Sequence, residues 1–87
     1  MSTAYFLINA KLNCELEIIE KIKSVLNHAK IPYEIQGVFG VYDIIVKLSA
    51  NTDDLLRKIV LENLRKIEHI ESAITMMVNE EQEKICA

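Results

Sequence analysis

The stretch from residue 38 to 48 constrains the fold of this chain most, because it predicts where the chain reverses direction within a sheet. It reads Val-Phe-Gly-Val-Tyr-Asp-Ile-Ile-Val-Lys-Leu. Gly40 is one of only two glycines in 87 residues, and a residue without Cβ readily adopts the positive φ that a tight reversal needs. The residues after it are rich in the β-branched and aromatic types that favour strands. We therefore predict a hairpin with its turn near Gly40 and a strand over 42–48.

Asp43 follows the predicted glycine turn, at the start of an apolar strand. One interpretation is structural, since short acids in turns accept hydrogen bonds from loop amides. The other is functional, since a carboxylate there can hold a ligand ammonium group. The aromatic residues Phe39 and Tyr42 allow the same two interpretations, as packing residues of a core or interface or as walls of a pocket. In each case the structural interpretation is favoured.

The rest of the chain divides into two similar halves. Apolar residues spaced three and four apart predict helices over 13–29 and 51–66, with Asn13 as the N-cap of the first. Strands are predicted on either side of each helix, and Pro32 at the start of the second strand suits an edge position. The predicted strands are 4–10, 33–39, 42–48 and 70–78.

The predicted order is βαββαβ, which is the ferredoxin-like arrangement of the α+β class. Right-handed crossovers place both helices on one face of a four-stranded antiparallel sheet and leave the other face bare. The strands 4–10 and 42–48 carry apolar residues on both faces. Because large exposed apolar surfaces are uncommon on soluble monomers, we expect a homodimer formed through the sheet, of the dimeric αβ-barrel type.

Length and charge exclude several classes of protein. At 87 residues the chain forms one domain, predicted over residues 1–78, and the charged segment 79–87 is predicted to be a flexible tail. The net charge of −3 provides no basic field for a phosphate backbone, so direct binding of nucleic acid is not expected. No apolar run is long enough to span a membrane, and no signal-peptide pattern is present. A cytoplasmic protein without membrane contact is predicted.

The cysteines and histidines do not form a recognisable motif. Cys14 and Cys86 have no short spacing, and His28 and His69 are not placed to complete a metal quartet, so no metal site is predicted. A Cys14–Cys86 disulfide is conceivable, but free thiols in a reducing compartment are favoured. No base near Cys14 in the sequence would activate it. We therefore expect neither catalytic residues nor a cofactor.

With this order in place, the sequence resembles a known family. Val38-x-Gly40-x-Tyr42-Asp43 before an apolar strand, together with the segment 70–75 before Met76-Met77-Val78, resembles the RAM domain, which is the C-terminal effector-binding module of Lrp/AsnC-family regulators. The likeness covers residues 3–78. No helix-turn-helix precedes the first strand, so the resemblance is to a stand-alone RAM protein.

The resemblance implies a ferredoxin-like fold, dimers through the sheet, rings of dimers and a small effector bound between dimers near the hairpin. Gly40, Tyr42 and Asp43 match the hairpin motif, and Thr75 matches the second of two threonines before the last strand. Two positions depart from the pattern: Ala73 stands in place of the first threonine, and Phe39 occupies a turn position that is often smaller or polar. The expected ligand-binding residues are Phe39, Gly40, Tyr42, Asp43 and Thr75.

Two classes of function remain open. The favoured one is a non-catalytic regulatory module that oligomerises, senses a small metabolite such as an amino acid or related zwitterion, and modulates Lrp/AsnC-type transcription regulators. The alternative is a small dimeric αβ-barrel enzyme acting on a small organic substrate, which would share the fold. Apart from Asp43, no acid, base or nucleophile clusters on an expected cleft, and this favours the regulatory module.

Overall fold

The computed structural model describes residues 2–78 and confirms the predicted order of elements. The strands and helices, in chain order, are β1 (Ser2–Ala10), α1 (Glu15–Ala29), β2 (Tyr33–Gly37), β3 (Ile44–Ala50), α2 (Asp53–Glu62), a short 3-10 helix (Leu64–Lys66) and β4 (Ile70–Met77). The predicted tail, residues 79–87, lies outside the described residues.

The four strands form one antiparallel sheet in the order β2-β3-β1-β4. β1 and β3 are the central strands, as predicted, and β2 is an edge strand. In the register, Phe6 of β1 lies opposite Val46 of β3 and Thr75 of β4. At the end of β1 the pairing with β4 shifts between Asn9 and Ala10, and such irregularities turn the end of a strand.

The core lies between one face of the sheet and the two helices. Alternate residues of the central strands point into it because side chains alternate between the faces of a strand. Phe6 is completely buried there. The helices contribute an apolar stripe with the three-and-four spacing that the sequence predicted. The fully buried large side chains are Phe6, Ile8, Ile18, Ile22, Leu26, Ile44, Val46, Leu48, Leu56, Val60 and Leu64.

The helix boundaries differ from the prediction at two places. The N-cap of α1 is Cys14, and Asn13 instead takes a left-handed conformation with φ 66°, because the chain turns tightly enough for the Cys14 amide to donate to the Lys11 carbonyl (3.0 Å). The second helix gives way after Glu62 to the 3-10 turn that carries Leu64 into the core. No helix in the described part is long and apolar enough to cross a membrane.

The face of the sheet away from the helices carries an apolar surface, which we call the sheet patch. In the register, Tyr5 lies beside Met76, and Leu7 lies between Ile45 and Ile74. Ile74 and Met76 are 47% and 49% exposed, and the other three are half-buried. Among residues 2–78, no helix packs over these five side chains.

Hydrogen-bonded polar pairs close both ends of the sheet patch. Thr3 and Ser49 share a hydrogen bond of 3.2 Å between their hydroxyls at one end. At the other end the Asn9 amide donates to the Ser72 hydroxyl, also at 3.2 Å. An apolar centre with a polar rim is the usual composition of a protein–protein interface.

The two phenylalanines of the chain provide a direct test of this fold. Phe6 is completely buried, whereas Phe39 is fully exposed. Phe6→Ala is expected to lower the free energy of unfolding by about 3–5 kcal/mol, because it leaves a cavity in the core. Phe39→Ala, the matched control, is expected to change it by less than about 0.5 kcal/mol. Urea unfolding followed by circular dichroism measures both, and equal losses would contradict this core.

Candidate functional site

The predicted hairpin forms, but its loop is longer than predicted and spans residues 38–43, because β2 ends at Gly37 and β3 begins at Ile44. The Val38 amide donates to the Asp43 carbonyl at 2.8 Å and closes the loop just beyond the β2–β3 ladder. Gly40 has φ 137°, a backbone conformation that residues with a Cβ rarely adopt. A Cβ added there would meet no atom within 4 Å. Gly40 is therefore required for its backbone conformation and not for close packing.

Asp43 fixes this loop to the end of β1. Its amide donates to the Ile8 carbonyl at 2.9 Å, and its carboxylate Oδ2 accepts a hydrogen bond from the Ala10 amide at 3.0 Å. Asp43 therefore has a structural role, but the amide that donates to its carboxylate belongs to the end of β1 and not to the loop. Among residues 2–78, its other oxygen, Oδ1, has no hydrogen-bond partner.

A cleft of about 340 Å³ lies between this loop and the first turns of α1. Two carboxylates, those of Asp43 and Glu15, line it, and no basic side chain does. Phe39 stands at its rim with its ring fully exposed. Two unopposed carboxylates favour a ligand that carries a positive charge. The lining residues are Glu15, Ile19, Gly37, Val38, Phe39, Asp43 and Ile44.

The structure brings together only part of the predicted site within one chain. Phe39 and Asp43 line the cleft, whereas Gly40 and the half-buried Tyr42 do not. Thr75 lies far from the loop, opposite Phe6 in the middle of the sheet. It lines a separate cavity of about 250 Å³ between α2 and β4. Its Oγ1 is buried there without a hydrogen-bond partner among the described residues.

Comparison with solved structures places the fold. No family model and no curated protein matches the sequence. The crystal structure of FFRP-DM1 is 30% identical, with a TM-score of 0.76 over 91% of this chain and 100% of that one. Escherichia coli AsnC, an Lrp/AsnC-family regulator, gives a TM-score of 0.76 at 21% identity. The fold is that of a RAM-like domain.

The RAM-like domain is matched by only part of each larger regulator. The match to AsnC covers 99% of this chain but 54% of AsnC. The transcriptional regulator NMB0573 from Neisseria meningitidis, solved as a complex with L-Met, matches over 94% of this chain and 52% of its own, with 12% identity and a TM-score of 0.68. At these identities the two regulators show a shared fold.

The sequence prediction missed three residues of the RAM-like domain that the fold brings together. One donor atom each from Cys14, Glu17 and His69 lies within 4.8 Å of the other two. We call these residues the Cys-Glu-His cluster. His69 is far from the other two in sequence, so spacing alone does not reveal the group. The predicted strand order could have revealed the group, because the connection after the first strand and the turn before the last strand meet at the same end of the sheet.

The anchoring role of Asp43 can be tested by stability. Asp43→Ala removes a charged acceptor and leaves the Ala10 amide without its partner, so the free energy of unfolding is expected to fall by about 1.5–3 kcal/mol. Asp43→Asn retains an oxygen acceptor and is expected to lose less. Glu20→Ala, at an exposed position of α1, is the control. Denaturant unfolding measures all three variants, and an Asp43→Ala variant as stable as the control would contradict the anchor.

Proposed function

We propose that this chain is a RAM domain of the Lrp/AsnC family and acts as a non-catalytic regulatory module that oligomerises and senses a small metabolite. The supporting observation is the fold match to FFRP-DM1 at full length, together with the acidic cleft behind the Gly40 loop. The structurally similar regulators act in transcription. Modulation of Lrp/AsnC-type regulators by association is part of the proposal.

The proposed effector is an amino acid or a related zwitterion. Asp43 offers its free Oδ1 and Glu15 a second carboxylate to an ammonium group at the cleft. The backbone amides of the loop near Gly40 would face the ligand carboxylate. A charge-assisted hydrogen bond of this kind contributes about 1.5–3 kcal/mol. The L-Met bound to NMB0573 supports this class of ligand.

The proposed site is completed between subunits. In one chain, Thr75 and the loop line different cavities, so both can contact one ligand only if Thr75 comes from a neighbouring copy. The buried, unpartnered Oγ1 of Thr75 supports a role beyond packing, because such hydroxyls normally find a partner. Ala73 lacks the hydroxyl that the family pattern has at its position, and Phe39 narrows the rim. Weak affinity for ordinary amino acids is therefore expected.

The proposed dimer forms by packing two copies of the sheet patch against each other. A two-fold interface brings the same surface of both copies together, and the sheet patch has the apolar centre and polar rim that suit this. The face is not uniformly apolar, since Lys47 and Glu34 lie side by side toward the β2 edge. Opposite charges at that edge fix the orientation of the two sheets more than they add affinity.

The dimer can be tested with one charge at the centre of the sheet patch. Ile45→Lys is expected to weaken self-association by roughly tenfold or more, because a central interface position becomes charged. Leu16→Lys is the control, since Leu16 is 78% exposed on α1 and lies off the sheet. Sedimentation equilibrium measures the dimer dissociation constant. A monomeric wild-type chain, or an Ile45→Lys chain that dimerises normally, would show that the sheet is not the interface.

Metabolite sensing can be tested by a calorimetric screen of amino acids and related zwitterions. The ligand that binds is expected to lose roughly 10- to 100-fold in affinity with Asp43→Asn, as one charge-assisted bond is lost. Thr75→Val is expected to weaken it as well. Asp54→Asn is the matched control, because Asp54 is an exposed acid of α2. If no compound binds, the result argues against metabolite sensing. If a ligand binds both variants as tightly as the wild type, its site lies elsewhere.

A further inference from the structure

The Cys-Glu-His cluster stands on backbone that is held by hydrogen bonds. The Lys11 amide donates to the His69 carbonyl at 2.9 Å, and the Cys14 amide donates to the Lys11 carbonyl at 3.0 Å. The turn before β4 is thereby fixed to the start of α1 through Lys11. The three side chains therefore start from main-chain positions that are set by the fold.

The side chains of the cluster converge from two segments. Cys14 and Glu17 are three residues apart at the start of α1, a spacing that places side chains on the same side of a helix. His69 approaches from the turn, with its Nε2 3.7 Å from Oε2 of Glu17. Its Nε2 also lies 4.0 Å from Oε2 of Glu68. Cys14 occupies the N-cap position but its side chain makes no capping hydrogen bond, so capping does not occupy the sulfur.

From this geometry we propose that Cys14, Glu17 and His69 form a binding site for a transition-metal ion, with zinc as the best fit. Thiolate, imidazole and carboxylate are the three protein ligands of zinc, whereas calcium and magnesium select oxygen ligands alone. Three protein ligands leave one tetrahedral position, which water or Glu68 fills. This site does not depend on the function proposed above.

The three ligand atoms need to move only slightly closer together to bind a zinc ion. Tetrahedral zinc, with bonds of about 2.0–2.3 Å, holds its ligand atoms roughly 3.3–3.8 Å apart. The His69–Glu17 pair, at 3.7 Å, already satisfies this, and the widest separation in the cluster is below 4.8 Å. The side chains of His69 and Glu17 are 37% and 49% exposed, so they have room to rotate and the ion has access from solvent.

The direct contacts among these side chains contribute too little to explain why the three side chains converge. Glu17 also pairs with Lys21 at 3.4 Å, but its contacts with Lys21 and His69 are both solvent-exposed, and exposed pairs contribute little to stability. A Cys–His–acid catalytic relay is a poorer fit, because it uses opposite ring nitrogens for thiol and acid. Here one donor atom of His69 lies within 4.8 Å of both partners. Convergence on a common point is the arrangement that a metal requires.

The test is a titration of the chain with Co²⁺, the spectroscopic substitute for zinc, followed by competition with Zn²⁺. We expect one ion per chain and a thiolate-to-cobalt charge-transfer band that zinc abolishes. Cys14→Ser is expected to remove the band and lower zinc affinity roughly 100-fold or more, since a ligand contributes at least as much as the groups that orient it. Serine is a preferred N-cap, so this variant should not weaken α1.

His69→Asn provides the second variant, because His69 has φ 73° and asparagine tolerates that conformation. It is expected to lower zinc affinity by a similar factor. His28→Gln is the matched control, since His28 is exposed at the other end of α1, and Cys86→Ser leaves Cys14 as the sole thiol. Both controls should bind normally. Absence of the band, binding that survives both ligand substitutions, or binding abolished by either control would overturn the proposal.

Discussion

The hydrogen bond from the Ala10 amide to the Asp43 carboxylate is the contact on which the loop 38–43 and the cleft beside it depend. The loop 38–43 has no regular structure and carries an exposed phenylalanine, so ladder bonds alone do not determine where it lies. Asp43 binds the end of β1 through both its amide and its carboxylate. A bond to a charged acceptor contributes about 1.5–3 kcal/mol, which offsets the entropic cost of fixing the backbone of roughly one or two loop residues. The cleft beside α1 exists because the loop is held there.

β1 is one of the two central strands, and its end is held from both sides. Asp43 accepts from Ala10 on the β3 side, and the His69 carbonyl accepts from Lys11 on the β4 side. The shift of register between Asn9 and Ala10 lies at this point. The acidic cleft and the Cys-Glu-His cluster are therefore gathered at one end of the sheet. The sheet patch lies on the broad face, so the proposed dimer interface and the two proposed binding sites occupy different surfaces of the chain.

The sequence was sufficient for the features that depend on local periodicity. The apolar spacing of three and four predicted both helices, and Gly40 predicted the reversal between β2 and β3. Prediction from the sequence failed where a tertiary contact decides the conformation. Asn13 is a good N-cap by type, but the bonds around Lys11 place the helix start one residue later. Within one chain the register sets Thr75 opposite Phe6, away from Ala10 and Asp43, so the site that the resemblance implies requires Thr75 from a neighbouring copy. The Cys-Glu-His cluster needed the assembled sheet before it could be seen.

The two oxygens of Asp43 explain how one side chain can serve both the fold and a ligand. Oδ2 is occupied by the Ala10 amide, and Oδ1 has no partner among residues 2–78. A ligand ammonium bound at Oδ1 would add to the existing contact without displacing it. The charge that strengthens the anchor would then also attract the ligand, and binding would stabilise the folded loop, since any ligand of the native state favours that state. A neutral acceptor at this position would weaken both interactions together, so in the proposed site the carboxylate would link the stability of the loop to the occupancy of the cleft.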